Sequence, residues 1–67
     1  MDVNLTPYQK FIIYKLERRN ASLFGMADDL GITKDEVRAE IYDLNHSGYD
    51  IKIIEEWCTL KGKIKGD

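Results

Sequence analysis

The stretch MADDLGITKDEVRAEIYDLNHSGYDI, residues 26–51, decides how this chain folds. Ala27 stands four residues before Gly31, Leu30 and Ile32 flank that glycine, and Val37 follows six residues after it. A small residue at Ala27 lets the next helix cross close to the one before it. Gly31 supplies a positive φ for a tight turn, and Ile32 and Val37 fill the angle between the two helices. Thr33 and Glu36 have the spacing of a capping box, and Val37, Ile41 and Leu44 form an apolar stripe at helical period. Gly48 ends that helix after Ser47, so a helix is predicted over about 34–47.

Upstream, Thr6-Pro7-Tyr8-Gln9 reads as a helix start: threonine as cap, proline at the first helical position, glutamine closing a capping box. This first helix should run over about 7–19, with Tyr8, Ile12 and Leu16 as its inward stripe and Ile13 widening it. Phe11 and Tyr14 lie outside the stripe, which makes them candidates for contact with a second chain. Asn20-Ala21-Ser22 reads as a short connection, with Ser22 capping a second helix over about 23–30. Leu23, Met26, Ala27 and Leu30 share the inner face of that helix, and Phe24 and Gly25 the other.

After Gly48 the period changes to two. Tyr49 to Ile53 alternates apolar and polar residues, and Leu60 to Lys65 resumes the alternation with Lys61, Lys63 and Lys65 on one side. The two runs are predicted to pair as a hairpin over about 49–65, turning through Glu55 to Thr59, where no Asn-Gly or Asp-Gly marks the register. The expected fold class is therefore α+β: three helices and a C-terminal two-stranded β-hairpin in a single domain over residues 1–67.

These residues, over about 8–54, resemble the winged helix-turn-helix family, in particular the N-terminal domain of biotin-operon repressors. There, too, an apolar residue like Ile41 follows four after the valine, and a Gly-Tyr pair like Gly48-Tyr49 opens the wing. The resemblance implies that the third helix lies in the major groove of double-stranded DNA and that the hairpin lies along the backbone or minor groove. On that reading Lys34, Arg38 and Tyr42 form one outward stripe, with Arg38 the candidate for a bidentate guanine contact. Ser22, Thr33, Lys61, Lys63 and Lys65 are then the candidates for phosphate.

Charge complicates this reading. The chain has 10 bases and 12 acids, net −2, and one histidine. Its middle, residues 33–50, sets Lys34 and Arg38 against Asp35, Glu36, Glu40, Asp43 and Asp50. Asp35 and Glu36 suit the positive end of a helix dipole, but the acids weaken the electrostatic drive toward DNA. Two functions stay open. One is a small sequence-specific DNA-binding transcriptional regulator, of phage or mobile-element origin since no effector domain accompanies the module, that binds usefully as a homodimer through the first helix. The other is a protein-interaction module, an inhibitor or antirepressor, on the same scaffold, engaging its partner through the acidic third helix or through Phe24, Tyr14 and Trp57.

Other classes find little support. The lone Cys58 has no partner for an internal disulfide, and one cysteine with one histidine cannot make a four-ligand zinc site, so no cofactor or metal is expected. His46 reads as a surface or capping residue and Cys58 as a small buried hydrophobe, so no catalytic role is expected. No apolar run approaches the roughly 20 residues of a membrane span, and no signal peptide is visible. A cytoplasmic, reduced protein is expected.

Overall fold

A computed structural model describes residues 5–63. It holds α1 (Pro7–Arg18), β1 (Ala21–Ser22), α2 (Leu23–Leu30), α3 (Lys34–His46), β2 (Tyr49–Ile54) and β3 (Trp57–Lys63) in that order. The fold is α+β, three helices followed by a hairpin, in the layout of a winged helix.

Each helix starts where its cap dictates. Thr6 Oγ1 accepts from the Gln9 N–H at 3.1 Å while Gln9 Oε1 accepts from the Thr6 N–H at 3.1 Å. Thr33 and Glu36 make the same reciprocal pair at 3.1 and 2.9 Å. Ser22 Oγ accepts from the Gly25 N–H at 2.9 Å. Such caps satisfy amides that would otherwise lack partners at a helix start, each contributing about 1 kcal/mol. Gly31 closes α2 at φ 71, in the left-handed region, and its N–H reaches back to the last turn of α2.

The core gathers Ile12, Ile13 and Leu16 of α1, Leu23, Met26 and Ala27 of α2, Val37, Ile41 and Leu44 of α3, and Ile51 and Cys58 of the hairpin. Two readings of α1 need correction. Tyr8 is exposed, and the buried position at that end is Gln9, folded back into the capping box. Phe11, expected outside the stripe, is half-buried and packs on the core, with Lys15 Nζ 5.7 Å from its ring centroid. The inward stripe thus runs 9, 12, 13, 16, the i, i+3, i+4, i+7 pattern of a helix lying on a globular core.

The sheet also departs from expectation. Ala21 and Ser22, read as a connection, form a two-residue strand against Cys58 and Trp57, so the sheet has three strands in the order β1-β3-β2, all antiparallel. The β2–β3 turn is not Glu55 to Thr59 but the two residues Glu55 and Glu56, with Glu55 at φ 58. A glutamate here takes the backbone geometry usually supplied by Asn or Gly. The tight turn is held because it places Cys58 opposite Ile53 on the core face, where the thiol is fully buried. Strict alternation also fails in β3: Ile51 pairs with Leu60 and Asp50 with Gly62, leaving Lys61 as a bulge. None of the described helices is long and apolar enough to cross a membrane.

Candidate nucleic-acid interface

The exposed face of α3 follows from its buried one. With Val37, Ile41 and Leu44 turned to the core, Thr33, Asp35, Glu36, Arg38, Ala39, Tyr42 and Asp43 are left in solvent. Arg38 and Tyr42 lie one turn apart on that face. They border a groove of about 400 Å³ that Ala39 and Asn45 also line and that Ile53 of β2 closes. Tyr42 is 65% exposed, and its ring centroid lies 4.4 Å from that of His46. The His46 Nδ1–H donates to the Tyr42 carbonyl at 2.9 Å, so the single histidine ends α3 on the surface.

Both bases of α3 already have carboxylate partners. Arg38 Nη1 sits 3.6 Å from Asp35 Oδ1. Lys34 Nζ sits 3.4 Å from Glu56 Oε2, at the hairpin tip, and 3.8 Å from the centroid of the Phe24 ring. Thr33 is committed too, its hydroxyl 3.3 Å from Glu36 Oε1 within the capping box. Of the α3 stripe, Tyr42 keeps its phenol outside any ion pair.

Lys61 stands elsewhere. Glu56 touches Lys34, so the tip lies beside the N-terminal end of α3, and the hairpin root follows the other end of α3 through Ser47 and Gly48. Lys61 is exposed in the root half of β3, four residues from Trp57, or about 13 Å along a strand. Lys63 closes β3 opposite Tyr49. The Lys63 side chain and all of Lys65 lie outside the described residues. Among the described residues, the part of the hairpin at the expected reading end of α3 is therefore Ile54-Glu55-Glu56-Trp57, and not Lys61.

Sequence reasoning singled out Trp57 at that tip but missed Ile54 beside it. Ile54 and Trp57 pair directly across the turn, both on the face away from the core, 69% and 55% exposed. Among the earlier interface candidates, Phe24 and Tyr14 are likewise more than half exposed, and Arg18 stacks over Tyr14 with Cζ 4.6 Å from the ring centroid. Period-two patterning puts Ile54 on the wet face of β2. Only the two-residue turn brings Trp57 to it.

A second groove, of about 650 Å³, opens between α1, β1 and α2. Tyr14, Arg18 and Arg19 line one side and Ser22, Gly25 and Met26 the other. A Cβ at Gly25 would stand 3.1 Å from Ser22 Oγ and crowd the α2 cap. Lys15 spans the edge of the groove to Asp29, 3.6 Å away.

Cys58 is fully buried and lines neither groove. Burial pushes its thiol up to about 11, with Arg38 opposing and Glu56 adding to the shift, so it stays protonated and weakly nucleophilic at neutral pH. Comparison with family models, curated proteins and solved structures finds no match to this chain.

Proposed function

We propose that this chain is a small winged helix-turn-helix regulator that binds double-stranded DNA, with α3 in the major groove and Arg38 reading a base. What supports the reading is the position of Arg38 and Tyr42, one turn apart on the face of α3 that the core leaves in solvent, directly behind the tight turn at Gly31.

Magnitudes decide whether the internal partners block it. An exposed pair such as Arg38–Asp35 is worth about 0–1 kcal/mol, whereas a bidentate arginine–guanine contact discriminates by about 1–3 kcal/mol. Arg38 therefore gains by exchanging Asp35 for a base edge. Phosphate contacts are scarcer, because Glu55 and Glu56 lie where the backbone would approach Lys34. With three or four phosphates neutralised per chain, log affinity should fall against log salt with a slope of only about −3.

The test is a fluorescence-anisotropy titration against a duplex selected from a random pool, at about 50 and 200 mM salt. Arg38→Ala should weaken the selected site by about 5- to 100-fold and leave random duplex little changed. Equal binding of the two proteins to the selected site overturns the assignment of Arg38. No binding of the wild type at 50 mM salt and micromolar protein overturns DNA binding itself.

One observation favours a second reading, the protein-interaction module. Both α3 bases are neutralised within the chain, while Asp35, Glu36 and Asp43 remain exposed on the same helix. A chain that ignores DNA and instead loses a protein partner on Glu36→Lys and Asp43→Lys would have this function.

A further inference from the structure

We infer that this chain forms a two-fold homodimer in which the hairpin tip of each copy seats in the α1–β1–α2 groove of the other. The inference requires no DNA contact.

The two surfaces match in chemistry. The tip offers an exposed apolar pair, Ile54 and Trp57, and between them the exposed carboxylate of Glu55, Glu56 being held by Lys34. The groove offers the Tyr14 ring and Ala21 as apolar walls, with Arg18 and Arg19 at its mouth. Lys15 is held by Asp29, so of the bases lining the groove the two arginines are left to meet Glu55. Arg18 already sits over the Tyr14 ring, and a guanidinium presents a fork of N–H donors that suits a carboxylate. The cavity, at about 650 Å³, is the size of a pocket that takes a drug-sized ligand, so it has room for an indole.

Position makes the match self-complementary. Ser22 lines the groove, and its backbone pairs with Trp57 across β1 and β3. Tip and groove are thus neighbours on one surface of each copy. A two-fold axis needs this, because a contact from residue i to residue j must be repeated from j to i. A specific interface takes roughly 600–1,000 Å² from each partner, and this chain exposes 4865 Å², so the contact would cover a sixth or so of each copy. Dimerisation through this face replaces the one expected through Phe11 and Tyr14 on α1, since Phe11 is packed on its own core and Tyr14 belongs to the groove.

The experiment is sedimentation equilibrium on the full chain between about 5 μM and 1 mM, with circular dichroism to confirm folding. The wild type should move toward twice its 7.8 kDa mass as concentration rises, and Glu55→Lys and Arg19→Glu should each remain at the monomer mass. Mixed in equal amounts, the two variants should recover the dimer, because each mixed pair then has one reversed and one native tip-to-groove contact, both complementary. A wild type that stays monomeric to 1 mM overturns the inference and leaves the tip to a different partner. A dimer that ignores both charge reversals, or variants that fail to rescue one another, also overturns it.

Discussion

Asn45 grips Ile51 by both backbone groups: its Oδ1 accepts from the Ile51 N–H at 2.8 Å and its Nδ2 donates to the Ile51 carbonyl at 3.2 Å. The side-chain amide acts as one residue of an extra strand on the outer edge of β2. It fixes the hairpin to the last turns of α3, and with it the width of the groove between Ile53 and Tyr42. It also closes part of a sheet edge that could otherwise pair with another chain. Asn45→Leu leaves both backbone groups without this partner, and at about 1–3 kcal/mol for an unsatisfied group the variant should lose roughly 2 kcal/mol. Urea unfolding would measure it, with faster hydrogen exchange at the Ile51 amide as the local signature. An unchanged exchange rate there would remove Asn45 from this role.

The tip carboxylate opposes DNA if α3 reads it. Glu56→Gln frees Lys34 from its partner at 3.4 Å and removes one negative charge beside the reading end of α3. Duplex affinity at about 50 mM salt should rise several-fold and its salt slope steepen by about one unit, as expected when one more phosphate is neutralised. Loss of this half-exposed pair should cost about 1 kcal/mol of stability. Affinity that stays level would place the tip away from the backbone.

At Gly31 only the backbone conformation matters. Its φ is 71, and a Cβ added there meets nothing within 4 Å. Gly31→Ala should therefore destabilise by about 1–2 kcal/mol, the left-handed penalty for a residue with a side chain, and Gly31→Asn by less. Thermal unfolding of the two variants would rank them. Equal losses would point to packing instead.

Cys58 should make stability fall in alkaline solution. Its buried thiol titrates at about 11 against an ordinary value of 9.0. Between those values the unfolded chain has lost the proton that the folded chain keeps, so unfolding gains ground as pH rises. The stabilising contribution is complete below pH 9 and gone above 11. Cys58→Ala should lack this slope, and comparing the two proteins at pH 8 and 10.5 separates it from lysine and tyrosine titration. Parallel curves would show that the thiol is not the cause.

Glu55 carries the backbone strain of the hairpin, at φ 58. Glu55→Asn, whose side chain tolerates that region, should raise stability by about 0.5–1 kcal/mol, read from the urea midpoint. A loss would mean the carboxylate has a stabilising partner.

Features legible in the sequence are those whose partners lie three or four residues apart. The capping boxes at Thr6 and Thr33, the Ser22 cap, the Gly31 turn and the α3 stripe depend on local geometry, and each formed where its residue types stood. Arg38 and Tyr42 were placed on the outer face by the same period. The misjudged Tyr8 and Phe11 each lie one residue before a buried position, Gln9 and Ile12, and the width of an apolar stripe depends on what packs against it.

Tertiary structure decided the rest, since distant residues have no spacing to betray them. The strand at Ala21 and Ser22 exists only because Trp57 and Cys58 lie beside it. The tip is two residues long because Cys58 must reach the core, and that shift carries Trp57 to Ile54 and Glu56 to Lys34. Local sequence thus determined that three capped helices and a hairpin would form. Long-range packing determined that Glu56 of the hairpin, and not Lys61, stands beside the expected reading helix.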